Sequence, residues 1–176
     1  DSVRTGNGSS TLTYTDQATF TVGPQTTFKV ERRTDTEDIM LLLGSLKGDI
    51  NKEKTVRPFQ VVTATAVSAV RGTQVDFDFN EEGQLIVDLH DGGPVQVYND
   101  EAELEINLDG GKKITIKYDA ETGELTVTND CSSGGGLSFT AGGQSYNLAA
   151  CESATVEVAE TAAGDTETPG TGDDNN

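Results

Sequence analysis

Apolar and polar residues alternate with a period of two along most of this chain. Ala18-Thr19-Phe20-Thr21-Val22 sets three apolar side chains on one face and ends at Gly23-Pro24, and Phe28 and Val30 repeat the pattern. Val75-Asp76-Phe77-Asp78-Phe79 opposes three apolar groups to two carboxylates and stops at Asn80-Glu81-Glu82-Gly83. Leu85, Val87 and Leu89 alternate as far as Asp91-Gly92-Gly93-Pro94, and shorter alternations follow at 95–97, 102–108, 114–118, 125–127, 138–140, 146–148 and 155–158. A period of two places successive side chains on opposite faces of a strand. The Gly, Asp and Asn residues between the runs favour turns. Short strands at a spacing of roughly 8–12 residues predict an all-β domain with little helix, either a short-stranded β-solenoid or β-roll or a sandwich-like body.

One stretch has a helical option. Thr34-Asp35-Thr36-Glu37-Asp38 ahead of Ile39-Met40-Leu41-Leu42-Leu43 reads as an N-cap with an acidic first turn. So brief an apolar run does not separate a helical turn from a buried strand, and a strand preceded by a loop is the preferred reading. Turn signals at Gly83, Gly92, Gly110, Gly123 and Gly142 recur at irregular intervals, so no strict solenoid repeat is visible. Four parts emerge: an arm over 1–14, rich in Thr, Ser and Gly; a β domain over 15–100; a β extension over 101–161; and an acidic tail over 162–176. That tail is predicted to be flexible, because 164–176 holds no apolar side chain to bury.

With 176 residues the chain is long enough for a real core, but Trp is absent and aromatics make up 6%, so that core must rest on Val, Leu, Ile and Ala. Twelve Lys plus Arg stand against thirty Asp plus Glu, a net charge of −18. Binding a phosphate backbone needs clustered cations, so no nucleic-acid partner is expected. An anionic membrane surface would repel the chain. The longest apolar run, 39–43, is too short to cross a bilayer, so membrane insertion is not expected either. The charge is also unevenly placed. Residues 1–60 carry eight basic and eight acidic side chains, while residues 61–176 carry four and twenty-two. Contact between the first part of one copy and the later part of another would meet less repulsion than like-to-like contact.

Cys131 and Cys151 are the two cysteines, and they flank Ser132-Ser133-Gly134-Gly135-Gly136 and a short β-like segment. Their separation does not match CxxC metal or redox spacing. A structural disulfide is expected, with an oxidising compartment and hence a secreted or cell-surface location. Closing a loop of about 20 residues contributes roughly 3 kcal/mol in the chain-entropy picture. The chain opens at Asp1 without an apolar leader, which reads as a mature product. Asn7-Gly8-Ser9 meets the N-glycosylation pattern.

Catalytic chemistry is sparse. His90 is the one histidine, no GxSxG elbow accompanies it, and Asp88 and Asp91 are neighbours in sequence only. Paired carboxylates at Glu81-Glu82, Asp100-Glu101, Glu103 and Glu105 read as solvated strand faces. Asp76, Asp78, Asp88 and Asp91 are the weak candidates for Ca²⁺, since oxygen-rich loops suit that ion, although no DxDxDG loop is present. No phosphate-binding GxxxxGK[ST] occurs, and Gly134-Gly135-Gly136 lacks the strand–helix setting of a dinucleotide site. No enzyme and no cofactor are expected.

The most informative segment is Phe59-Gln60-Val61-Val62-Thr63-Ala64-Thr65-Ala66-Val67-Ser68-Ala69-Val70-Arg71-Gly72-Thr73-Gln74-Val75. It resembles the central signature of the FecR domain family, in which an apolar strand leads through a Thr/Ala/Val stretch to Val-Arg-Gly-Thr. Residues 16–30 resemble that family's opening row. Leu42-Leu43-Gly44-Ser45-Leu46-Lys47-Gly48 resembles its second, and 79–97 the end of the domain. The resemblance covers roughly 11–100 and is centred on 70–73. It implies an extracytoplasmic, non-enzymatic β domain which, in signalling members, relays occupancy of an outer-membrane receptor to a sigma factor. Read physically, Gly72 permits a tight bend and Arg71 organises a turn by laying its fork across nearby carbonyls or a carboxylate.

Two functions are expected. The first is an extracellular structural subunit that self-assembles through strand contacts into a homo-oligomer or polymer. Thr11-Leu12-Thr13-Tyr14 of the arm would complete a neighbour's sheet. The alternative is an extracytoplasmic module that senses by binding a surface protein.

Overall fold

The computed structural model describes residues 2–157, apart from residues 56 and 120. The acidic tail, residues 158–161 of the extension and Asp1 lie outside the described residues. Among the described residues all regular structure is strand, as the alternation requires.

The first five strands form three bent rows. β1 (Ser2–Arg4) and β2 (Ser10–Tyr14) make the outermost row, β3 (Ala18–Val22) and β4 (Thr27–Arg32) the second, and the long β5 (Glu37–Ile50) the third. β5 pairs its first half with β4 and its second half with β3, so each row passes from a front layer to a back layer. β5 turns the corner at Gly44, whose φ is +98°, a region closed to most L side chains. A Cβ there would lie 2.6 Å from Thr26 Cα. The corner is stitched across the rows. Thr26 N donates to Thr5 Oγ1 (2.8 Å), Thr5 Oγ1 to the Gly23 carbonyl (2.7 Å), and Ser45 N to Thr26 Oγ1 (3.0 Å). Thr5 and Thr26 are buried, and these bonds occupy polar groups that would otherwise be costly to bury.

From β5 onward the chain grows by hairpins that alternate between layers. β6 (Phe59–Val62) and β7 (Val67–Val70) lie in front, β8 (Thr73–Phe79) and β9 (Gln84–Gly92) behind. β10 (Val95–Asn99) and β11 (Leu104–Leu108) return to the front, and β12 (Lys112–Asp119) and β13 (Glu124–Asn129) to the back. β14 (Leu137–Ala141) and β15 (Gln144–Leu148) close the front layer, and β16 (Ser153–Glu157) the back. Each hairpin pairs with the previous one in its own layer, β7 with β10, β9 with β12, β11 with β14 and β13 with β16. All pairings are antiparallel except β5–β6.

The alternating apolar residues point between the layers and form one buried cluster, from Phe20 and Leu41 to Phe139 and Val156. Front and back meet directly where the Phe59 ring lies 4.8 Å from Tyr14 and 5.3 Å from Phe20, both edge-on. Each such buried aromatic or aliphatic side chain contributes about 1.5–3 kcal/mol. The result is a two-layer, roll-like sandwich, in agreement with the fold class read from sequence. The ambiguous run 39–43 is strand, within β5. Two details differ. Ala102 and Glu103 belong to the β10–β11 turn and not to a strand. Thr11, Leu12, Thr13 and Tyr14 are not held out as a donor arm: they form β2 and pair with Thr21, Phe20, Thr19 and Ala18 of their own chain. The inward Leu12 and Tyr14 find their apolar partners locally, which is why the segment folds back.

Candidate functional site

The outer face of the back layer carries the one histidine. Strand registers set Lys47, Asp76, Asp88 and Lys113 opposite one another across β5, β8, β9 and β12. Asp76 and Asp88, facing each other, would repel, but each has a cation on its other side. Lys47 Nζ lies 2.8 Å from Asp76 Oδ2 and Lys113 Nζ 3.5 Å from Asp88 Oδ2. The hydrogen bond and charge of Asp76 hold the Lys47 ammonium above its ordinary pKa. A register shift between Gln74 and Val75 leaves His90 unpaired and bulged outward. Its Nε2 is 3.2 Å from Asp76 Oδ2 and its Nδ1 3.8 Å from Asp88 Oδ1.

This face is open to solvent, with a shallow depression of about 510 Å³ bordered by Thr19, Thr21, Lys47 and His90. Asp76 and Asp88 are already paired with Lys47 and Lys113, and among the described residues the depression has no enclosed wall to hold a substrate against His90. The four calcium candidates do not converge either. Asp78 projects from the same face without joining the ladder, and Asp91 accepts from the Gly92 N–H at 2.7 Å. Among the described residues no group of three or more His, Cys, Asp or Glu side chains is gathered as for a metal. The ladder was missed in sequence because its members come from four strands. An outward Asp in each of two consecutive alternations, 76 and 88, was the available signal.

Val70-Arg71-Gly72-Thr73 is the crossing from β7 in front to β8 behind. Val70 and Thr73 are buried, and the Thr73 hydroxyl donates to the Asp91 carbonyl. Gly72 adopts φ +71°, and a Cβ on it would come within 2.8 Å of Lys52 Cα. The bend expected at Gly72 is present. Arg71 is exposed on this crossing.

Later crossings stack along the same seam. Gly111 N donates to the Leu89 carbonyl (2.7 Å) and Cys151 N to the Asn129 carbonyl (2.9 Å). The disulfide Cys131–Cys151 links the crossing between β13 and β14 to that between β15 and β16. Lys112 Nζ donates to the carbonyls of Gly134 and Gly136, which fixes the Gly-rich stretch as structure. Hydrogen bonds from the Ser132 hydroxyl and N–H hold the Asp130 carboxyl below its usual pKa.

The outer face of the front layer offers a second open depression, about 620 Å³. At its centre Gln60 Nε2 donates to the Tyr98 hydroxyl (3.1 Å), and Gln96 Nε2 donates to Glu105 Oε1 (3.0 Å). Asp100 and Glu103 complete an acidic border. Burial, foremost, and the charge of Asp100 raise the Tyr98 pKa. This surface went unnoticed in sequence, since β6 and β10 become near neighbours only through the alternation of hairpins.

These features define an all-β, two-layer domain closed by an internal disulfide. Residues 1–93 match the FecR protein family, and because that is more than half of the chain, the protein belongs to the FecR family. The family is of a regulatory kind whose domains lie outside the cytoplasm, and the disulfide suits an oxidising compartment. Two crystal structures, at 1.65 and 2.50 Å, of a protein from Parabacteroides distasonis ATCC 8503 assigned as an anti-sigma factor share the fold. Each superposes with a TM-score of 0.59 at 19% identity, covering 73% of this chain and 59% of that one. This chain therefore spans less than two thirds of that protein's length. No curated protein matches the sequence.

Proposed function

We propose that this protein is an extracytoplasmic, non-enzymatic sensing module of the FecR kind, which acts by binding another protein. The family match over 1–93 carries this reading. It is supported by the fold shared with a protein assigned as an anti-sigma factor, a class whose name implies a protein partner. The open depressions suit the surface of a macromolecule better than an enclosed small ligand.

The contact belongs on the front layer around Tyr98. An aromatic ring with a hydroxyl already hydrogen-bonded, bordered by Asp100, Glu103 and Glu105, fits a partner segment that presents basic side chains around an apolar one. A photo-crosslinking residue at Tyr98 should capture one discrete envelope protein, and reversing the charge of Asp100 and Glu105 should abolish capture. If Tyr98 captures nothing under conditions where the folded protein is intact, the proposed face is wrong. A filament role, the other expectation from sequence, would require free sheet edges to engage copies of the chain.

A further inference from the structure

We propose that the two ends of this stack join head to tail, so that a second copy of the chain continues both layers. At one end the outermost strands are β1 in front and β2 behind; at the other they are β15 in front and β16 behind. Among the described residues each of these four strands pairs on one side only.

Strand direction allows the junction. Following the pairings across the front layer, β15 runs opposite to β1. Following them across the back, β16 runs opposite to β2. A copy translated along the stack, with its layers kept on their own sides, thus meets both edges antiparallel at once, the pattern by which the chain's own hairpins add. In the back layer the two edges are equal in length, Ser10–Tyr14 against Ser153–Glu157.

One edge at each end, β2 at the head and β15 at the tail, lacks the usual protection. Natural edge strands carry Lys, Pro or bulges that prevent pairing with another chain. Here β2 and β15 hold no charge, while β1 holds Arg4 and β16 holds Glu157. The inward residues at both ends are also incompletely covered: Val3 is 49% and Val30 41% exposed at the head, and Tyr146 and Ala154 are part-buried at the tail.

Charge selects the orientation. Residues 2–36, which build the head, carry four basic and three acidic side chains, whereas residues 121–157 at the tail carry five acidic and no basic ones. Tail-to-tail contact is repelled and head-to-tail contact is not. Such a heterologous junction propagates unless it closes into a ring.

The test uses the full chain with Thr13→Cys on β2 and Thr155→Cys on β16, both on exposed positions, in variants whose melting matches the parent. Mild oxidation of a mixture of the two single variants should give disulfide-linked dimers, each variant alone should stay uncrosslinked, and the double variant should give a ladder of multimers. Sedimentation of the unmodified protein should show mass rising with concentration. A monomer at every concentration overturns the proposal, as do dimers from either single variant alone, which mean like-to-like contact, or a tail edge that crosslinks only to a different protein. Capture at Tyr98 would survive such a result, since that face lies away from both edges.

Discussion

At the scale of the residue, two positions decide much of the local geometry, and each makes a prediction. Gly44 is both left-handed and in contact with backbone, so Gly44→Ala combines torsional strain with overpacking and should cost about 2–4 kcal/mol. Gly111 has a similar φ but open space around its α-carbon, so Gly111→Ala should cost only about 1 kcal/mol. Denaturant unfolding of the two variants separates these contributions. Tyr14 is the second case. Burial, and then the charge of Glu37, pushes its pKa up to about 12 from 10.0, and its buried hydroxyl has no hydrogen-bond partner among the described residues. A folded pKa above the unfolded one stabilises fully below pH 10.0 and is lost as pH rises through about 12. Tyr14→Phe keeps the ring packing on Phe59, so it should leave stability at neutral pH unchanged or higher and flatten the alkaline decline. Melting curves from pH 8 to 12 would show no difference between the two proteins if Tyr14 were in fact exposed.

At the scale of the element, strands were legible wherever one face is buried and the other wet. Phe77 between Asp76 and Asp78, or Ile116 between Thr115 and Lys117, leaves no other periodicity open. β5 was half legible. Its first half showed as the apolar run 39–43, but its second half, Gly44-Ser45-Leu46-Lys47-Gly48-Asp49-Ile50, turns only Leu46 and Ile50 into the core, too few to reveal a strand, and stood out only through the family resemblance of 42–48. β2 was read as an arm because Ser and Thr dominate it, and the turn 63–66 was hidden inside a Thr/Ala/Val run that looked continuous. The disulfide was legible in the cysteine spacing; that it ties two layer crossings was not, because crossings are a property of the topology. Removing it in the Cys131→Ser/Cys151→Ser variant should cost about 3 kcal/mol. Amide exchange should then quicken first in β14, β15 and β16, with β5, β8 and β9 unaffected.

At the scale of the whole molecule, the pairings that could not be read are those between hairpins of one layer, such as β9 with β12, since the chain visits the other layer in between. For the same reason the candidate surfaces escaped sequence reading: the Lys47–Asp76–Asp88–Lys113 ladder and the Gln60–Tyr98 pair are assembled by register, not by local motif. The Val-Arg-Gly-Thr signature, by contrast, was legible as a motif, and it lies at the crossing from β7 to β8, the second after the bent rows. Residues 94–157 lie beyond the family match, yet they add hairpins by the same rule as 59–92. That continuity makes 2–157 one cooperative body, and hydrogen exchange over the intact chain measures it. Exchange should be slow and cooperative without a break from β5 through β13, with the outer amides of β2 and β16 faster in dilute solution and slower as concentration rises. Fast exchange throughout 94–157 beside a protected 2–93 would contradict it.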